Sequence, residues 1–342
     1  MRVGIFESRD TTLAHGAAHD AAAVSAVGDE SRAIRETCRA LGWTPIDVEA
    51  AVDPLRTLQD LRDARPDVVF QLAESIGGEA RFEAAAAWLL EWARIPYTGS
   101  GPIALTLALE KPRTRAVLTA AGVATPIGFV VEQADEALPA VFATRRAGEA
   151  WIVKPTREDA SHGIALESVV RSEKALRERA AYVIETYRQP ALVEEFVEGR
   201  EFNVSLIDDS EGTTALPIAE IDYSQFPSDA PRLVTFAAKW DPSSAEYQGS
   251  TPIAADDLPT TVARSVRHVA LAAYRAIGLA GYGRIDLRLH PTRGPLVLDV
   301  NPNPDISPDA GLARAAARGG LRYEELIARI VRDAQRRAHK TA

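Results

Sequence analysis

The chain has 342 residues, 46% of them hydrophobic and 25% charged, a globular composition with room for two or three domains that excludes disordered and collagen-like chains. Its formal net charge of −9 argues against nucleic acid or an anionic membrane as a general partner, and a single cysteine, Cys38, excludes an internal disulfide or a cysteine-rich zinc site. No apolar run approaches the roughly 18 residues that span a bilayer, and the opening MRVGIFESRD has no long apolar segment of the secretory type, so the expectation is a cytoplasmic protein.

The first hundred residues alternate strand and helix signals. VGIF (3–6) and DVVFQL (67–72) read as buried strands. Between them Ile34, Cys38 and Leu41 recur at helical spacing before Gly42, and a second helical pattern runs through Phe82, Ala86, Leu89, Leu90 and Ala93 to the turn at Ile95-Pro96-Tyr97. This alternation predicts a parallel sheet with helices packed on it. From about residue 103 a helical segment leads through Lys111 to Gly122, followed by the strands GFVVE and WIVKP. The stretch from Ser172 to Tyr187 is amphipathic, with Leu176, Ala180, Val183, Ile184 and Tyr187 on one stripe. After Gln189-Pro190 come the strands ALVEEF, FNVSLI, ALPIAEI, RIDLRL and PLVLDV, interrupted by a helix from about Leu258 to Ile277. Grouped strands and helices predict α+β halves.

Arginine dominates the 39 basic residues; the five lysines are Lys111, Lys154, Lys174, Lys239 and Lys340. A lysine in such a chain points to a need for a compact ammonium. Lys174 and Lys340 lie in a charged helical stretch and a polar tail, whereas Lys154 ends an apolar strand before TREDASHGI, from which it can reach phosphate oxygens. No lysine follows a glycine, so a Walker A loop is excluded. Gly99-Ser100-Gly101-Pro102-Ile103-Ala104 matches a dinucleotide fingerprint only formally, because it follows a turn and carries Pro102. His15 and His19 lack the intervening glutamate of a zinc helix and read as surface residues.

GRIDLRL and PLVLDVNPNP carry the most chemistry. Strict alternation puts Arg284, Asp286 and Arg288 on one strand face, and Val297, Asp299 and Asn301 on one face of the next strand. Pairing these strands gathers Asp286, Asp299 and Asn301 beside Arg284, an all-oxygen set suited to a hard cation such as Mg²⁺. A solvated face with ordinary salt bridges fits the same pattern. In ALVEEFVEGREFNVSLI, Glu194, Glu195 and Glu201 lie where a planar base and a sugar could be recognised, or are charged hairpin residues.

In order, GGEARFE…IPYTGSG, EKPRTRAVL, IVKPTREDASHGI, LVEEFVEGREFNV, GYGRIDL and LDVNPNPDISPDAGL resemble the ATP-grasp superfamily, and within it the D-alanine–D-alanine ligase-like family, over about residues 67–320. The resemblance implies an ATP-grasp fold of α/β and α+β parts: a Rossmann-like domain over residues 1–102, a central lobe over 103–190 and a C-terminal lobe with the metal site over 191–342, the two lobes enclosing ATP. It implies that Lys111 and Lys154 bind the nucleotide phosphates, with Ser161 in the 157–163 lid. Glu194, Glu195 and Val197 then line the adenine hinge, and Glu201 meets the ribose. Lys239 and Arg284 become catalytic, and Asp286, Asp299 and Asn301 ligate two Mg²⁺ ions, with Mn²⁺ as a substitute. Asp299 stands where the family more usually has Glu.

The implied reaction is an ATP-dependent, ADP-forming carboxylate–amine ligation through an acyl phosphate, with small carboxylate and amine substrates, amino acids among them. The alternative is an ATP-grasp kinase that releases a phosphorylated product. Family members are often dimers, so a homodimer is a further expectation. The substrate side departs from the family pattern. The Glu-Arg-Glu-Val-Ser segment is replaced by the Ala-rich TTLAHGAAHDAAAVSA, a His-Gly pair by Glu74-Ser75, a lid serine by Ala160 and a tyrosine by Trp240. Asp305 stands for a glycine, and Ala310-Gly311 for the Ser-Leu that holds the acceptor carboxylate. A product other than D-alanyl-D-alanine is therefore expected.

Overall fold

The computed structural model describes residues 1–20, 27–143 and 149–341; residues 21–26, part of the Ala-rich segment, lie outside the described residues. Strands β1 (Arg2–Glu7), β2 (Thr44–Glu49) and β3 (Val68–Gln71) form a parallel sheet in the order β2-β1-β3. Both its faces are covered, as parallel sheets require. Helix α1 (Val27–Ala40) lies on one face, and α2 (Pro54–Ala64) and α3 (Glu83–Trp92) on the other. Asp53 caps α2, its carboxylate accepting from the Leu55 N–H at 2.9 Å.

The predicted helix through Lys111 is two helices, α4 (Pro102–Leu109) and α5 (Lys111–Ala120). Glu110, at φ −82° and ψ 78°, breaks the run. Pro112 explains this, since it has no N–H to continue the ladder. The break puts Lys111 at a helix start, with its backbone N–H donating to the Thr156 carbonyl at 3.0 Å.

A second sheet, ordered β4-β7-β5-β6, is antiparallel and contains β4 (Gly128–Val131), β5 (Trp151–Pro155), β6 (Val169–Val170) and β7 (Ala191–Glu195). Helix α6 (Glu173–Tyr187) seals one face through Leu176, Ala180 and Val183, packed on Trp151, Val153 and Val193. The third sheet runs β11-β10-β8-β12-β13, with β9 also paired to β8. Its strands are β8 (Glu201–Asp208), β9 (Thr213–Ala215), β10 (Ala219–Asp222), β11 (Thr251–Ala254), β12 (Tyr282–His290) and β13 (Gly294–Asn301). Helix α7 (Thr260–Ile277) buries Val266, Ala270, Ala273 and Tyr274 against it and ends at Gly278 in the left-handed conformation. The last helices, α8 (Gly311–Arg318) and α9 (Tyr323–Thr341), return to the first sheet, where Leu326, Ile327, Ile330 and Val331 share a core with Val3, Ile5, Val68 and Phe70. No helix among the described residues is long and apolar enough to cross a membrane.

The strict alternation expected on β13 is broken. Asp286 pairs with Asp299, but Leu287 pairs with Val297, so Leu298 is an extra residue on β13. This β-bulge switches the face of everything before it. Val297 therefore turns into the core with Ile285, Leu287 and Val300, and does not share a face with Asp299 and Asn301 as expected; Leu298 lines the cleft instead.

Gly128 allows β4 to lie close to β7: a Cβ there would come within 2.4 Å of the Val193 carbonyl oxygen and 2.9 Å of Glu194 Cγ. Gly128→Ala should lower stability by about 1–3 kcal/mol, read as an earlier urea midpoint. An unchanged midpoint would contradict the close approach.

Candidate active site

A cleft of about 660 Å³ opens between the second and third sheets and gathers Lys111, Lys154, Ser161, Glu194, Glu195, Val197, Glu201, Lys239, Arg284, Asp286, Asp299 and Asn301 along its walls. The structure thus brings these twelve residues, the nucleotide, metal and catalytic set that the resemblance implied, into one enclosure, from positions up to 190 apart in the chain.

The cations and carboxylates are arranged in pairs. Lys111 Nζ lies 3.1 Å from Asp299 Oδ1 and 3.2 Å from Asp159 Oδ1. Burial alone would lower this lysine's proton affinity, but the two carboxylates raise it above the ordinary value, so Lys111 stays charged. Burial works against the Asp299 carboxylate, and Lys111, Lys154 and Lys239 overcome it, holding its pKa below the usual range. Lys154 Nζ sits 2.6 Å from Glu194, whose other oxygen is 2.9 Å from Arg115 Nε. Asp286 accepts from Arg284 at 2.8 and 2.9 Å and from the Asn203 amide at 2.7 Å. Asn301 Oδ1 accepts from the Asn303 N–H at 3.0 Å. Lys239 has a lowered pKa through burial and then Arg284, despite Asp286, Asp299 and Asp159.

The far wall is equally bound up. Glu201 takes the Arg288 guanidinium at 2.6 and 2.9 Å and the Tyr223 hydroxyl at 2.8 Å. Arg288 also donates to the Val197 carbonyl at 2.6 Å. The Glu195 carboxylate accepts from the Ile127 N–H at 3.0 Å and from Arg293 at 2.5 Å.

The loop over the cleft carries backbone strain. Ala160 (φ 52°) and Ser161 (φ 63°) occupy the left-handed region beside Gly163 (φ 70°), a cost of order 1 kcal/mol for each non-glycine. Neighbouring groups fix it there. The Trp240 indole donates to the Ala160 carbonyl at 3.1 Å, and the Ser161 hydroxyl to the Val234 carbonyl at 3.1 Å. The Phe236 N–H donates to the Ile164 carbonyl at 2.8 Å, and the His162 ring stacks on Phe236.

Several contributors were not singled out from sequence: Asp159 and Arg115 as counter-ions, Asn203 on Asp286, and Leu298. Asp159 and Arg115 do fall within the quoted TREDASHGI and EKPRTRAVL runs, but which lysine or glutamate each meets is a tertiary fact. His15 and His19 form no helical pair: His19 lies in a short turn, 3.6 Å from Asp20 and against the Phe236 ring. Among the described residues no group of three or more His, Cys, Asp or Glu is set to hold a metal; the all-oxygen set here has two carboxylates and an amide.

Three further carboxylates, Glu30, Glu74 and Glu83, lie outside the residues that line the cleft. Glu30 accepts from the Ile306 N–H at 2.9 Å, and Asn303 donates to Glu83 at 2.5 Å. Glu74, on the loop after β3, is exposed to solvent. Surrounding protein, with Asp159 and Asp305 nearby and only Lys239 opposing, lifts its carboxyl to about 7.

Residues 122–332 match the family model for the D-Ala D-Ala ligase C-terminus. The chain is 34% identical to a D-alanine–D-alanine ligase of Gluconobacter oxydans, over 85% of this chain and 88% of that one. It is 33% identical to an uncharacterised protein, y4sG, of Sinorhizobium fredii, over 79% and 75% of the two chains. The crystal structure of D-alanine–D-alanine ligase from Bacillus anthracis complexed with ATP superposes over the whole of both chains with a TM-score of 0.76 at 18% identity.

Because Glu74 holds its proton more tightly in the folded chain than the ordinary 4.5, it contributes stability at low pH that is lost as pH rises towards 7. The melting temperature of Glu74→Gln should therefore gain on that of the parent between about pH 5 and about pH 7.5. An equal difference at both pH values would remove this carboxyl from the account.

Proposed function

The chain belongs to the D-alanine–D-alanine ligase family of ATP-grasp, ADP-forming ligases, and from that premise we propose that it joins a carboxylate to an amine other than D-alanine through an acyl phosphate. One observation carries the reading: Lys111, Lys154, Lys239 and Arg284 converge with Asp286, Asp299 and Asn301 on one cleft.

In the first step a substrate carboxylate oxygen attacks the γ-phosphorus of ATP, and ADP leaves. Phosphoryl transfer of this kind depends on positioning and charge neutralisation. Lys111, Lys154 and Lys239 supply fixed positive charge around the phosphates. Lys111 and Lys154 are already held by Asp299 and Asp159 and by Glu194, so little reorganisation is needed. Glu194, Glu195 and Val197 offer a wall for adenine, Glu201 a carboxylate for the ribose, and Ser161 a hydroxyl from the lid. Asp286, Asp299 and Asn301 present only oxygen donors, which fits Mg²⁺, or Mn²⁺ in its place. Two such ions, when bound, would neutralise phosphate charge.

In the second step the neutral amine adds to the acyl carbon and expels inorganic phosphate. The amine nitrogen gives up its proton, and an amide remains. Arg284, oriented by Asp286, stabilises the oxyanion of the tetrahedral species. The loop carrying Ala160 and Ser161 excludes water that would otherwise hydrolyse the acyl phosphate. Ala160, Trp240, Asp305 and Ala310 line the cleft, and these departures, with that at Glu74, support a changed substrate alongside retained nucleotide chemistry.

Lys154→Ala and Asp299→Ala should each cut ADP release by about 10²-fold or more while the protein stays folded. Arg115 still pairs with Glu194 in the first variant, and Asp159 with Lys111 in the second. Normal turnover in either would refute the assignment. Asp305→Asn should change the KM for the amine; an unchanged KM and amine preference would separate Asp305 from substrate recognition.

A further inference from the structure

Past the reacting centre the cleft continues to α8, where Arg314 and Arg318 line it. They are one helical turn apart on the same face, and both are exposed. Side chains on a helix lean towards its N-terminus, here the end that carries Ala310 and Gly311 into the cleft. Among the described residues neither guanidinium makes an ion pair or hydrogen bond. Of the other cations of the enclosure, Lys111, Lys154, Arg284 and Arg288 each hold a carboxylate; Lys239 makes no ion pair among the described residues either, but it lies in the field of Asp286, Asp299 and Asp159. Asp309 lines the same stretch without reaching either arginine. Burial, and then the Arg314 charge, lower the proton affinity of Arg318, with Asp256 opposing. Two like charges are thus left facing each other on a cleft wall, in a chain of net charge −9 with ample carboxylate to neutralise them.

We propose that the amine substrate carries an anionic group, carboxylate or phosphate, several bonds from its nucleophilic nitrogen, and that Arg314 and Arg318 are the specificity-determining residues that hold it. A planar guanidinium presents paired N–H donors that match two oxygens of either group. The nitrogen then lies towards Asp305, which lines the same cleft, so the substrate is dipolar along the cleft. This inference rests on the ligase reading above and adds the charge of the acceptor.

The test measures ADP release by the full chain with Mg²⁺-ATP and a panel of donor carboxylates. The acceptors are aspartate, glutamate and phosphoserine, each against its neutral counterpart asparagine, glutamine or serine. The anionic acceptors should show a KM lower by about tenfold or more, a charged hydrogen bond's worth; the carboxylate and phosphate arms identify which anion fits. In Arg314→Gln/Arg318→Gln the gap should close through a higher KM for the anionic acceptor. In Arg314→Glu/Arg318→Glu the preference should pass to acceptors with a distal cation, such as lysine, an inversion that a purely structural role would not produce. ADP release indifferent to acceptor charge, or an equal rise in KM for both members of a pair, overturns this inference and leaves the ligase reading intact. ADP from no combination overturns both.

Discussion

Two carboxylates stand directly opposite one another on adjacent strands, Asp286 on β12 and Asp299 on β13, and like charges in that position repel. The cleft is organised by the groups that relieve this repulsion. Asp286 is held by Arg284 on its own strand and Asn203 on β8, while Asp299 is held by Lys111, which arrives from the start of α5. The bulge at Leu298 is part of the same arrangement. It keeps Val297 in the core while Asp299 and Asn301 still face the cleft. Without it, one register step would send either the apolar or the acidic residues to the wrong side.

The relief of this repulsion also connects separate sheets. Lys111 follows the first sheet, Lys154 and Glu194 belong to the second, and Arg284 and Asp299 to the third. Lys111 on Asp299, Arg115 on Glu194 and Arg293 on Glu195 tie one part to another, whereas Lys154–Glu194 and Arg284–Asp286 brace a single sheet. The strained turn at Ala160 and Ser161, bonded to Val234 and Trp240, links the lid to the third sheet's long connection in the same way. Such a design suits chemistry in which a polyanion is neutralised and water excluded, because the charges are in place before the substrate arrives.

Much of this was legible in the sequence. The apolar runs at 3–6 and 67–72, the stripe Leu176–Ala180–Val183 and the chain's few lysines follow from local periodicity and composition. The partners of the cleft's charged residues were less so. Asp159, Arg115 and Asn203 gain their roles from contacts 48, 79 and 83 positions away in the chain, which no local pattern encodes. The bulge was invisible because PLVLDV satisfies strict alternation, and only pairing with β12 reveals the extra residue. The break at Glu110 was readable from Pro112 but was masked by the helical residues on both sides. The return of α8 and α9 to the first sheet depends on a shared core that chain order does not announce.

The most direct test of ligation in this cleft is ADP release from Mg²⁺-ATP with carboxylates and amines supplied singly and in pairs, with mass spectrometry of the products. The account predicts ADP and phosphate in equal amounts only when both substrates are present, together with an amide whose mass is the sum of the two less water. A phosphorylated carboxylate accumulating as the final product with the amine present and unconsumed would contradict it and make the protein a kinase.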